Sequence, residues 1–296
     1  MLNLIRMNLY SLVRSMSFWV MIFVTALIAV FCVVMTNSDL EYMSEQQSKI
    51  EQNAIQGMVI GFGQSIEEED DDEIITGITV DTNEEWIDGN IEIGSFLVMM
   101  FSSGMLALVA AVFMAIYTNA EQKTGFIKNI AGQIPRRGLL SLAKLAGIAV
   151  DLLIIFAVFI IAVVICGKII WGDKLVLGDW GDIIKVSAIQ YLLHLAFCTI
   201  VQMFCTVARG AGIGMTIGIF YCSGMTDLVY MGINYVIGKL GAEVFDIGKY
   251  DLMNYMSSAA VGADSDTLIK CVIAGAVYLA VCTAVSIIVM QKRDIK

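Results

Sequence analysis

Three ionisable residues, Asp151, His194 and Asp227, stand inside long apolar runs of this 296-residue chain. A carboxylate or an imidazole in hydrocarbon is costly, so each is expected to face the interior of a helix bundle or a water-filled cavity. Two kinds of chemistry fit such residues. They can pair with polar neighbours as structural locks, or they can hold a proton or a cationic substrate. Asp151 and His194 are the candidates for an intramembrane polar lock. Asp227 shares its apolar run with Ser223, Thr226 and Asn234. That run is the most polar of the set and is the candidate lining of a substrate pathway.

Other chemistries lack their residues. Zinc takes three or four convergent nitrogen or sulfur ligands, and the chain has a single histidine, so no metal site is expected. The same scarcity leaves no nucleophile–base pair, and no catalytic residue is assigned. The segment DTNEEWIDGNIE, 81 to 92, places Asp81, Asn83, Glu85 and Glu92 at oxygen-ligand positions of a calcium-loop spacing. It carries Trp86 where the sharp turn requires glycine. A solvated acidic loop is the expectation there. The seven cysteines all fall in or at the edges of apolar runs, where a thiol packs as a small apolar group. RGAGIGMTIG, 209 to 218, has no strand before it and opens an apolar run. It reads as a packing surface in which Gly214 and Gly218 let helices approach closely, not as a nucleotide loop. No phosphate-binding G-x-x-x-x-G-K-[ST] loop occurs, so any ATP and Mg would be bound by another chain.

The elements that must position these residues are helices in a bilayer. Hydrophobic residues make up 58% of the chain, mean hydropathy is +0.79, and only 16% of residues are charged, which one soluble core cannot accommodate. Runs long enough to cross about 30 Å of hydrocarbon fall near 16–36, 94–118, 140–167, 186–208, 211–237 and 268–290. The reading is an all-α polytopic membrane protein of six transmembrane helices, with the first run retained and not cleaved as a signal. With both termini inside, all six arginines lie on the cytoplasmic side, as short positively charged loops do. Residues 37–93 hold six Asp, ten Glu and one Lys and form an acidic extracellular loop, with a short strand expected at 74–81. Residues 1–15 place Leu2, Ile5, Leu9, Leu12 and Val13 near one helical face, which fits an amphipathic helix in the inner interface. Residues 16–296 form the transmembrane domain.

Between the second and third runs lies EQKTGFIKNIAGQIPRRG, 121 to 138, basic and punctuated by Gly125, Gly132, Gly138 and the chain's one proline, Pro135. Its form is E-x-K-x-G-x(9)-P-R-R. Together with the amphipathic N-terminal helix, six spans, a large first outer loop and QKRDI after the last span, it resembles the permease subunit of an ABC exporter of the short six-helix type-2 class. The resemblance covers nearly the whole chain, although the acidic outer loop is unusually long for that class.

In that family the 119–139 connection is a coupling helix seated on a soluble ATP-hydrolysing subunit. The resemblance implies charged contacts from Glu121 and Lys123, an apolar plug from Phe126 and its neighbour, and a turn at Gly132 and Pro135. It further implies two ATPase subunits per complex, a second permease chain, identical or homologous, and no cofactor on this chain. The second and fifth spans would line a cavity, and 242–258 would dip into the outer leaflet. An acidic exterior and Asp227 suit an amphipathic, cationic substrate such as an antimicrobial peptide, exported across a bacterial-type plasma membrane. No nucleic-acid partner is expected. Two other classes compete: a proton- or cation-coupled secondary transporter using Asp151, His194 and Asp227, and a non-transporting membrane anchor of a secretion complex.

Overall fold

A computed structural model describes residues 2–59, 86, 90–123, 137–176, 178, 180–239 and 247–292. The first helix, α1 (Leu2–Arg14), is short and amphipathic. It stops at Ser15, whose hydroxyl donates to the Leu12 carbonyl at 2.8 Å and accepts from the Phe18 amide at 3.2 Å. Ser15 thereby caps the next helix, α2 (Met16–Val59), satisfying one of its otherwise orphaned amides. Trp19 of α2 reaches back to donate to the Val13 carbonyl, fixing the angle between the two helices.

The apolar portion of α2, Met16–Glu45, is long enough to span a bilayer, but the helix continues to Val59. The acidic segment therefore begins as helix where a loop was expected. The expected strand at 74–81 and the calcium-type positions Asp81, Asn83 and Glu85 lie outside the described residues.

After that segment come β1 (Ile91–Glu92), α3 (Ile93–Ser102) and α4 (Met105–Lys123), then α5 (Gly138–Ile170) and β2 (Leu175–Val176). The two short strands pair in parallel, Ile91 with Leu175 and Glu92 with Val176. This ladder places the start of α3 beside the end of α5, at the end of the bundle opposite α1. Trp86 and Trp171 both pack on Phe96 there, with ring centroids 6.2 and 5.3 Å apart. The chain continues through α6 (Trp180–Ala208), α7 (Ala211–Cys222), α8 (Met225–Lys239), α9 (Leu252–Ser258) and α10 (Ser265–Lys292).

The architecture is that of an α-helical polytopic membrane protein. Among the described residues four helices, α2, α5, α6 and α10, are long and apolar enough to cross a membrane alone, and the number is six if each of two bent pairs counts as one span. The bends are 50° between α3 and α4 and 80° between α7 and α8. Each sits at a glycine with positive φ, Gly104 at 75° and Gly224 at 70°, a conformation that side chains with a Cβ adopt only at a cost. The continuous run read at 211–237 is thus divided. At 1.5 Å per residue the twelve residues of α7 cover only about 18 Å, short of the hydrocarbon thickness.

Helix α6 runs through the middle of the bundle. Polar side chains buried along it include Gln190, His194, Thr199, Gln202 and Thr206. Gly214 and Gly218 of α7 lie where a Cβ would meet Cys205 of α6 and, at 2.9 Å, Ala111 of α4. Small residues there let α7 approach both helices closely, as the sequence suggests.

Candidate functional site

The two bends lie side by side, and one side chain of α6 ties the first of them to α9. A Cβ placed on Gly104 would stand 3.7 Å from the Cys222 carbonyl and 3.5 Å from the Met253 side chain. Beside them, the Gln190 amide nitrogen lies 2.7 Å from the Met256 carbonyl, 3.0 Å from the Ala259 carbonyl and 3.2 Å from the Ser102 hydroxyl oxygen. Ser102 itself donates to the Val98 and Met256 carbonyls. These bonds satisfy backbone groups that end α9 and interrupt α3–α4, which in a bilayer find no water to replace them. The Tyr221 hydroxyl of α7 accepts from the Leu252 amide at 3.1 Å, completing the junction.

Gln190 and Ser102 were not among the sequence-derived candidates. The signal is present, since an amide inside an apolar run also needs a partner, but in the run at 186–208 only His194 stands among the candidates. Gln202, three turns further along α6, plays a comparable part at the α1 end, donating to the carbonyl and hydroxyl of Ser141 on α5.

His194 is fully buried one turn from Gln190. Its Nδ1 lies 2.7 Å from the Gln190 carbonyl. A carbonyl only accepts, so Nδ1 carries the hydrogen, and in the neutral ring Nε2 is left as an acceptor. Nε2 is buried without a hydrogen-bond partner, and the ring sits edge-to-face on Phe156, 5.1 Å away. Asp151, on α5, is 4% exposed, and its Oδ1 is likewise without a partner. The structure therefore places both lock candidates in the interior without a hydrogen bond between them.

The pathway candidates fall at the second bend. Ser223 is exposed and donates to the Phe220 carbonyl, Asp227 is exposed in the first turn of α8, Thr226 is buried, and Asn234 is half-buried with an unpartnered Oδ1. Ser223 ends α7, and Thr226, Asp227 and Asn234 lie on a helix turned 80° from it.

Asp251, outside the candidate spans, was also missed. It precedes α9, is 4% exposed, and has an unpartnered Oδ1. Burial pushes its carboxyl up to about 6, while the Leu252 and Met253 amides pull the other way.

Of the coupling candidates, Glu121 and Lys123 occupy the last turn of α4, whereas Phe126, Gly132 and Pro135 lie outside the described residues. The ends of that connection converge with α1. The Tyr117 hydroxyl of α4 donates to the Asn8 carbonyl at 3.4 Å, and Gly138, which opens α5, packs against Ile287 and Gln291 of α10. Arg6, Arg14, Arg137 and Lys292 consequently share one end of the bundle. Among the described residues no group of three or more His, Cys, Asp or Glu is placed to hold a metal ion.

No protein-family model matches the chain, and no curated protein matches it.

Proposed function

We propose that the chain is the membrane-spanning permease subunit of an ATP-driven exporter of the ABC type, working as half of a dimer in a bacterial-type plasma membrane. The observation that carries this reading is the convergence at one basic end of the bundle. There α1 packs on α5 and is joined to α4 by the Tyr117–Asn8 bond, beside both ends of the 124–136 connection. A helix lying beside such a connection can receive a push from a soluble partner and pass it to two membrane helices at once. The broken α7–α8 pair and the inserted α9 suit the same reading, since they leave the opposite end irregular where six straight helices would not.

In this reading the basic end is cytoplasmic, and each bent pair is one span, giving six. ATP and Mg belong to two copies of a separate ATPase, and this chain carries out no covalent chemistry. Glu121 and Lys123 contact the ATPase. Asp227, with Ser223, Thr226 and Asn234, faces an amphipathic substrate, a cationic peptide being the best match to Asp227 and to the acidic outer segment.

The test is co-purification of a soluble ATPase with the intact chain, followed by ATP hydrolysis in the reconstituted complex. Glu121→Lys is expected to leave the ATPase bound and to reduce substrate-stimulated hydrolysis about tenfold, the loss of one charge-assisted contact. Full stimulation in that variant would remove the coupling role. Transport driven by an ion gradient with no nucleotide would replace the exporter with a secondary transporter.

A further inference from the structure

Asp151 lines a narrow void together with Leu12 of α1, Ala110 and Tyr117 of α4, Ile155 of α5 and Cys198 of α6. The void has about the room that one water needs. One of its walls is Leu12, 1% exposed, on a helix that lies at the bundle end and is pinned there by the Tyr117–Asn8 bond. The void thus runs from beneath α1 to Asp151, whose buried Oδ1 has no hydrogen-bond partner.

The groups around Asp151 determine what it can bind. The Cys198 thiol faces it from α6, and the Tyr117 hydroxyl lines the void from α4. From α1 comes only the Leu12 side chain. On α5 itself Lys144 lies two turns away, about 10 Å along the axis, with its ammonium directed at the Thr118 carbonyl. His194 lies one turn beyond Cys198 on α6, its ring against Phe156. No arginine or lysine among the described residues forms an ion pair with Asp151. A buried carboxylate with neither a cation nor donors on Oδ1 is unstable in low dielectric, and the group that relieves it must fit a one-water void.

We infer that Asp151 is a proton-binding site, exchanging its proton with the α1 end of the bundle through the void that Leu12 closes. The bound species is the neutral acid. Its hydrogen leaves to a water admitted to the void, and the same route returns it, so no other reactant is consumed. Helix α1 acts as the cover, and a displacement of α1 would open the site. The inference stands on the packing of α1, α4, α5 and α6 and does not rest on the exporter reading.

The experiment uses the full chain in lipid nanodiscs without nucleotide or partner. At pH about 6, above the ordinary carboxylate range, the infrared spectrum is expected to keep a protonated-carboxyl carbonyl component that Asp151→Asn removes and that survives in Asp251→Asn. On transfer to deuterium oxide that band shifts as the proton exchanges. Leu12→Ala is expected to speed the shift about tenfold by loosening the cover. Ala110→Leu, which fills the void from the opposite wall, is expected to slow it and serves as the second variant if Leu12→Ala does not assemble. Absence of an Asp151-dependent band would overturn the proton site. An exchange rate unmoved by both void variants would overturn the route.

Discussion

Helices α6 and α10 are nearly equal in length and pack against each other, yet they live in different surroundings. In the most apolar stretch of α6 61% of residues are buried inside the protein, against 17% for α10, while mean hydropathy runs the other way, 1.7 against 2.5. The more apolar helix is the one left facing outward. A lipid-facing helix must be apolar all round, whereas a central helix can carry polar groups provided neighbours satisfy them. Helix α6 does so with Gln190 and Gln202, which tie it to α9 and α3 at one end and to α5 at the other. Helix α10 offers fewer inward ties, among them Tyr278, whose hydroxyl donates to the Tyr250 carbonyl at 2.8 Å.

The contrast is most directly broken at Gln190. Gln190→Leu leaves the Ala259 carbonyl without a donor, at about 1–3 kcal/mol, and removes one of the two bonds to the Met256 carbonyl, which keeps the Ser102 hydroxyl, at about 0.5–1.5 kcal/mol, so a loss of about 1.5–4.5 kcal/mol is expected in unfolding measured in detergent. The matching substitution on α10 is Val277→Ala, at a site 54% exposed, where a change within about 0.5 kcal/mol is expected. Equal losses in the two variants would erase the distinction between a central and a peripheral helix.

A smaller effect is expected where α7 meets α4. Gly218→Val places a Cβ 2.9 Å from the Cβ of Ala111, a contact that no flexible side-chain end can relieve. Overpacking of this kind costs about 1–3 kcal/mol. The same measurement reads it, and an unchanged midpoint would mean that α7 is free to move away from α4.

A change of pH profile is expected on the α10 side. Because the Asp251 carboxyl is raised from 3.8 to about 6 in the folded protein, the folded state holds its proton more tightly than the unfolded state. Stability then falls as pH rises from near 3.8 to about 6 and is flat, for this group, above that. Asp251→Asn is expected to remove that decline, so the variant gains on the wild type across the window and keeps its advantage at higher pH. Parallel profiles for the two proteins would place Asp251 in water instead of in the packed segment.

Much of this architecture was legible in the residues, and the parts that were not share a cause. The apolar runs near 16–36, 140–167, 186–208 and 268–290 each coincide with a helix because their length and hydropathy admit little else in a bilayer. The stripe of Leu2, Leu9 and Leu12 gave an amphipathic α1, and the Gly214–Gly218 spacing gave a close helix contact. The run at 211–237 gives no sign of its break. Hydropathy sums over a window and is blind to direction, so Ser223 and Gly224 leave the sum apolar while turning the chain by 80°. Asp227 therefore lies on a turned, exposed helix and not on a straight pathway wall.

The sequence by itself determined the solvent, because the free energy of placing each segment in hydrocarbon is a local sum over its own residues. It also determined which polar groups would need partners. Which partner each one found was decided by tertiary structure alone. Gln190 meets Met256 and Ala259 across more than sixty positions, and Asp151 meets the void beneath Leu12. Such pairings depend on how helices far apart in the chain cross, and no local property of either segment encodes the crossing.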